Sequence, residues 1–229
     1  MELQLAIDLL NKEDAAELAK KVTDYVDIVE IGTPIVINEG LPAVQHLKEN
    51  VKDEDVKVLA DLKIMDAADY EVSQAVKFGA DVVTILGVAE DASIKNAVEE
   101  AHKHGKELLV DLIAVQDLEK RAKEIDALGA DYIAVHIGYD LQAEGQSPLE
   151  SLRKVKSVIK NAKIAVAGGI KPETVKEVAD EGPDLIIVGG GIANADDPRE
   201  AAKQIREAIE GKWPFNNSLN GFAVRLHRR

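Results

Sequence analysis

The stretch 56-VKVLADL-62 is a short apolar run that closes on an acid, and the chain repeats it. The same shape occurs in 3-LQLAIDL-9 and 107-ELLVDLI-113, so that Asp8, Asp61 and Asp111 follow one another at spacings of 53 and 50 residues. A fourth run, 163-KIAVAGGI-170, arrives after a similar interval and closes on glycines. Four more interleave with these: 26-VDIVEIG-32, 80-ADVVTILG-87, 130-ADYIAVHIG-138 and 183-PDLIIVGGG-191. Three of the second set share an entry, Gly79-Ala-Asp, Gly129-Ala-Asp and Gly182-Pro-Asp, where glycine suits the left-handed residue just past a helix. All eight runs are continuous rather than alternating, as parallel strands buried on both faces require.

Helical patterns fill the intervals. In 12-KEDAAELAKKV-22 the residues Ala15, Leu18, Ala19 and Val22 share a face, and in 91-DASIKNAVEEAHKHG-105 so do Ile94, Ala97, Val98 and Ala101, with Asp91 as the expected cap and Gly105 as the stop. Segments 68–78, 118–128, 150–160, 172–181 and 198–210 are similar, and 39–50 is weaker. A doubly wound open sheet would also use strand–helix units, but eight of them favour closure into a single (β/α)8 TIM barrel over residues 1–211. The remaining 212-KWPFNNSLNGFAVRLHRR-229 holds the only Trp, two of the three Phe, four Lys/Arg and no acid. It reads as an appended segment rather than a functional basic arm.

Composition narrows the function. A net charge of −14 argues against a nucleic-acid surface, which needs clustered Lys and Arg, although a local cradle could still hold one phosphate. Without Cys there is no disulfide, thiolate nucleophile or thiolate metal site. No apolar stretch is long enough to span a bilayer, and 1-MELQLAIDLL-10 reads as a strand rather than a signal peptide, so a cytoplasmic protein is expected.

In such barrels the C-terminal strand ends converge on the active site. Read in order, they are Asp8, Glu30, Asp61 with Lys63, Thr84, Asp111, His136, then Gly168-Gly169 and Gly189-Gly190-Gly191. Any one could be a solvated charge or a cap; five strands delivering ionisable groups to one place point to chemistry. Asp61 and Lys63, two apart on a strand, should share a side. Glu30 and Asp61 on adjacent strands suit Mg²⁺, with a structural ion-pair network including Lys63 as the alternative. His136 fits a proton carrier near neutral pH, or a buried structural histidine. The two glycine clusters stand where barrels bind phosphate, though glycine turns also occur without a ligand. Together these residues suit an enzyme that stabilises an enediolate on a small phosphorylated, oxygen-rich substrate.

At Asp61-x-Lys63-x-x-Asp66 the sequence resembles the orotidine-phosphate decarboxylase superfamily. The likeness extends over about residues 1–210, through 26-VDIVEIGTPIVINEG-40, 59-LADLKIMDA-67, 131-DYIAVHIGYDLQAEG-145, 165-AVAGGI-170 and 186-IIVGGGI-192. Within the superfamily it is similar to the aldolases that join D-ribulose 5-phosphate to formaldehyde, giving 3-hexulose 6-phosphate, with Mg²⁺. That resemblance implies Glu30 and Asp61 as metal ligands, His136 as the base at C1 and Lys63 as the enediolate's counter-charge. It implies Asp8 and Asp111 on substrate hydroxyls, and the glycines at 168–169 and 189–191 on the phosphate. It also implies a homodimer, with Asp66 contributed to the partner's site. A related decarboxylase of 3-keto-L-gulonate 6-phosphate carries Arg near the strand-six His and in the strand-eight loop, where this chain reads 136-HIGYD-140 and 189-GGG-191. One departure stands out: 66-DAADYE-71 where the aldolases have Asp-Ala-Gly, which also leaves room for a catalytically silent barrel serving as a dimeric scaffold.

Overall fold

A computed structural model describes residues 1–142 and 147–212, so all of the C-terminal segment but Lys212 lies outside the described residues. Eight strands pair in parallel, in chain order, and β1 closes on β8. They are β1 (Glu2–Ile7), β2 (Ile28–Ile31), β3 (Lys57–Ile64), β4 (Val82–Leu86), β5 (Glu107–Asp111), β6 (Tyr132–His136), β7 (Lys163–Ala167) and β8 (Leu185–Val188). The expected closed barrel is the fold.

Alternating with them along the chain are α1 (Lys12–Val22), α2 (Thr33–Glu39), α3 (Pro42–Asn50), α4 (Ala68–Lys77), α5 (Asp91–Lys103), α6 (Leu118–Leu128), α7 (Tyr139–Gln142), α8 (Leu149–Lys156), α9 (Val175–Asp180), α10 (Gly190–Ala193) and α11 (Pro198–Ile209). The weak pattern at 39–50 is α3, preceded by a separate α2 that ends at Glu39. Gly40 ends α2 at φ 69°, and Pro34 and Pro42 each stand in a first turn, where a missing N–H costs nothing. Asp91 is not the cap of α5. Glu90 holds that position without a side-chain bond, and Asp91 in the first turn instead pairs with Arg121.

Alternation along each strand divides the apolar residues into two cores. Leu5, Val29, Val58, Val83, Val110, Ile133, Val166 and Ile186 point outward into the ring of helices. Ile28, Leu59, Val82, Leu109, Tyr132, Ala134, Ala165 and Leu185 fill the barrel itself. Tyr132 plugs the bottom: its ring is fully buried, its hydroxyl donates to Glu2 Oε2 at 2.9 Å, and Lys163 Nζ donates to it at 3.1 Å. A plugged floor leaves one end for ligands.

The repeated Gly-x-Asp entry has a fourfold structural meaning. Each even strand is preceded by an Asp whose carboxylate accepts the backbone N–H of the neighbouring odd strand: Asp27 from Leu3 (2.7 Å), Asp81 from Val58 (2.9 Å), Asp131 from Leu108 (2.8 Å) and Asp184 from Ile164 (2.9 Å). These acids satisfy donors at the barrel's bottom rim that the strand ladder does not reach. Gly79, Gly129 and Gly182 take positive φ before three of them, as expected. Asp81 also binds Lys48 and Lys106; burial opposes its ionisation, but these bonds outweigh it and hold the carboxyl below its ordinary pKa. Replacing Asp81 by Ala should cost about 2 kcal/mol, from one orphaned N–H and two lost ion pairs. Because the folded pKa is depressed, that stability is present above the ordinary carboxylate pKa and is lost as pH falls below it. Chemical denaturation at pH 7 and pH 3 should therefore show a gap between wild type and D81A that shrinks in acid.

Candidate active site

The C-terminal ends of the strands surround a cavity of about 1100 Å³. Asp8, Glu30, Asp61, Lys63, Asp111, His136, Gly168, Gly169, Gly189, Gly190 and Gly191 all line it. Asp66 does not; it is exposed in the loop between β3 and α4. The strand-end residues thus converge as expected, and the motif's last acid faces away from them.

Asp61 is the most heavily bonded. It is 7% exposed and accepts from the Thr33 hydroxyl on Oδ2 (2.8 Å), the Thr84 hydroxyl on Oδ1 (2.7 Å) and Lys63 Nζ on Oδ2 (2.6 Å). Lys63 shares Asp61's side of the strand, but its backbone is left-handed, at φ 47°. That conformation costs an L residue about 1 kcal/mol, and strain of this kind tends to sit at functional sites. The ammonium reaches Asp111 Oδ2 as well, at 3.6 Å. Burial alone would lower the Lys63 pKa; Asp61 and Asp111 reverse this and raise it, so the side chain is an ammonium.

Asp111 and His136 form a second unit. Asp111 Oδ2 lies 2.8 Å from His136 Nδ1, and Asp111 Oδ1 accepts the Ile113 N–H at 2.9 Å. Burial works against the Asp111 charge, but the His136 bond and the His136 and Lys63 charges hold its pKa below the ordinary value. An ionised Asp111 cannot donate, so Nδ1 carries the proton between them, and Nε2 is the nitrogen through which the ring can exchange a proton with a ligand.

Glu30 is the group least at ease. It is 6% exposed, and its ionisation is pushed well up, first by burial and then by the Asp61 and Asp8 charges. Its one neutral donor is Gln4 Nε2, from β1. Asp8, open to solvent at the mouth but flanked by the barrel wall, is raised by desolvation and then by Asp61. Four carboxyls, Asp8, Glu30, Asp61 and Asp111, thus share the one ammonium of Lys63. Such crowding is what a divalent cation relieves, and two carboxylates from adjacent strands match the partial coordination that Mg²⁺ takes from protein. Among the described residues no group of three or more His, Cys, Asp or Glu is placed to hold a metal ion, so an ion here would rest on no more than two protein carboxylates. The residues present fit the group.

The glycines shape the other end. A Cβ on Gly168, at φ 115°, would come within 2.5 Å of the Ile137 carbonyl, and one on Gly191 within 2.5 Å of the Ile170 carbonyl. The β7 and β8 loops therefore pack backbone to backbone, leaving an unobstructed rim. Gly32 serves the acid end: a Cβ there would lie 2.1 Å from Asp8 Oδ1. Lys171 joins this rim; with Lys63 it is one of two lining residues that carry a positive charge, and no Arg lines the cavity among the described residues.

Gln4, Thr33 and Lys171 all line the site and stood outside the expected set. Gln4 had a legible signal, an amide inside an otherwise apolar run. Thr33 had none, because its role depends on α2 folding back across β3. At the departure 66-DAADYE-71, Ala68 is the buried first residue of α4, and the left-handed position is Ala67, at φ 51°.

The chain is similar over nearly its whole length to known proteins. Residues 1–205 match the model of the orotidine 5'-phosphate decarboxylase / HUMPS family. A 3-hexulose-6-phosphate synthase of Staphylococcus haemolyticus is 84% identical over 212 residues, covering 93% of this chain and all of the relative. The crystal structure of 3-hexulose-6-phosphate synthase from Salmonella typhimurium superposes with a TM-score of 0.89 at 42% identity, over 93% of this chain and 100% of that one. The 3-keto-L-gulonate-6-phosphate decarboxylase from Vibrio cholerae follows with a TM-score of 0.80 at 26% identity, over 93% and 99%.

Proposed function

The chain belongs to the orotidine 5'-phosphate decarboxylase / HUMPS family, and from that membership and its cavity we propose that it condenses D-ribulose 5-phosphate with formaldehyde to 3-hexulose 6-phosphate, reversibly. The observation that carries this reading is the Asp111–His136 pair set beside Lys63 and two buried carboxylates, in a chain so close to the synthases.

His136 Nε2 takes a proton from C1, and the electron pair left behind forms the 1,2-enediolate. Asp111 keeps the ring in the tautomer that can accept it. Lys63, ammonium-charged and fixed between Asp61 and Asp111, faces the oxyanion as it forms. C1 then attacks the formaldehyde carbon, one C–C bond forms, and the former carbonyl oxygen is protonated. Glu30 and Asp61 would hold Mg²⁺, whose positive charge offsets the enediolate and neutralises the crowded carboxylates. The glycine rim, with Lys171, would receive the phosphate.

We place Asp66 in the partner's site of a homodimer. Its exposure outside its own cavity, flanked by the exposed Met65 and Tyr70, supports this. If so, D66A and H136A should each be inactive alone, and refolding them together should restore about a quarter of wild-type turnover. Half of the randomly formed dimers would be hybrids, each with one complete site. No recovery would place Asp66 in its own site or in none.

The decisive assay follows formaldehyde and ribulose 5-phosphate consumption with and without Mg²⁺, alongside CO₂ release from 3-keto-L-gulonate 6-phosphate. Condensation abolished by chelation is expected; decarboxylation alone would reverse the assignment, and silence in both would favour a scaffold. A cytoplasmic setting belongs to the same proposal; among the described residues no helix is long and apolar enough to cross a membrane.

A further inference from the structure

Thr84, in the middle of β4, is unused by the mechanism, yet the β3–β4 ladder breaks opposite it. Ala60 pairs with Val83 and Ile64 with Ile85, so Asp61, Leu62 and Lys63 together face the single residue Thr84. Such a bulge removes ladder hydrogen bonds and re-aims side chains. Here a side chain replaces what is lost. Thr84 Oγ1 donates to Asp61 Oδ1 at 2.7 Å and accepts the backbone N–H of Lys63 at 3.0 Å, and the residue is only 3% exposed.

One hydroxyl therefore ties the first residue of the bulge to the last. It fixes Asp61 by one oxygen, leaving Oδ2 to Thr33 and to Lys63 Nζ. It also anchors Lys63 where the backbone is left-handed and nothing in the strand ladder holds it. A hydroxyl is required because both a donor and an acceptor are used at once; Val would supply neither, and Ser would supply both.

We propose that Thr84 is a positioning residue of the condensation, holding the Asp61–Lys63 bulge in the shape that sets the Lys63 ammonium between Asp61 and Asp111. This rests on the functional reading above, so the test includes a measurement that does not. Thr84→Val should lower kcat about 10–100-fold, the usual scale for a partner one shell behind the reacting groups. KM for ribulose 5-phosphate should change by less than about threefold, because the phosphate rim is untouched, and Thr84→Ser should recover most of kcat. By amide hydrogen exchange, Lys63 N–H should lose its protection in T84V and keep it in T84S, whatever the substrate.

Wild-type turnover in T84V, an undiminished Lys63 protection in T84V, or T84S as impaired as T84V would each overturn the proposal. If T84V does not fold, Thr84→Cys, similar in size but a weak donor and acceptor, takes its place with the same expectations. Should the wild-type protein fail to condense the two substrates, the functional reading falls, and the exchange data still decide whether Thr84 holds the bulge.

Discussion

His136→Asn should lower kcat for condensation by about 10³-fold while leaving KM for ribulose 5-phosphate nearly unchanged, the scale expected when a general base is removed. The structure makes the effect specific to proton transfer. His136 ends β6 with Nδ1 committed to Asp111, so the ring's one free nitrogen is the one facing the cavity. Exchange of the C1 protons of ribulose 5-phosphate into D₂O, measured by NMR without formaldehyde, isolates that step. Exchange should vanish in H136N. If it continued at the wild-type rate, another group would be the base. Asp111→Asn gives the companion result: the shape is kept, but the amide no longer demands a protonated Nδ1, so both exchange and turnover should fall.

Asp61→Asn should be at least as damaging, about 10³-fold or more in kcat, for a different reason. The amide oxygen can still accept from Thr84, and the amide nitrogen in place of Oδ2 can donate to the Thr33 hydroxyl, which keeps its bond to the Asp61 carbonyl, so the local fold should survive. What is lost is the negative charge that holds Lys63 Nζ at 2.6 Å and, with Glu30, would bind Mg²⁺. Removing that charge also eases the repulsion acting on Glu30 and Asp8. D61N should therefore be no less thermally stable than the metal-free wild type, and its melting temperature should no longer rise on adding Mg²⁺. Glu30→Gln should behave alike, with a raised melting temperature without metal and no response to it. A preserved Mg²⁺ shift in both variants would refute the assignment of these two carboxylates.

The barrel was readable because its signal is periodic and redundant. Eight continuous apolar runs, each at the right distance from the next, constrain one another, and an error in one helix boundary leaves the count intact. The convergence of Asp8, Glu30, Asp61, Asp111 and His136 was readable for the same reason: once the strands are placed, their ends share a face. Where each helix begins was less legible. Asp91 looked like a cap and is a first-turn partner of Arg121, because a contact from α6 outweighs local preference. The Gly-x-Asp repeat was visible as punctuation, but its purpose was not, since each acid's hydrogen bond goes to a strand some twenty residues earlier.

The sequence by itself determined the architecture, the residue types at the mouth and the kind of chemistry they suit, because strand order and side-chain alternation follow from local pattern. Only the tertiary structure decided the working arrangement. It joined Asp111 to His136 and thereby selected the tautomer, crowded Glu30 against Asp61 and Asp8, and turned Asp66 out of its own cavity. It also bulged β3 so that Thr84 holds both ends of the Asp61–Lys63 step. These depend on distances between strands, and such distances arise when the barrel closes.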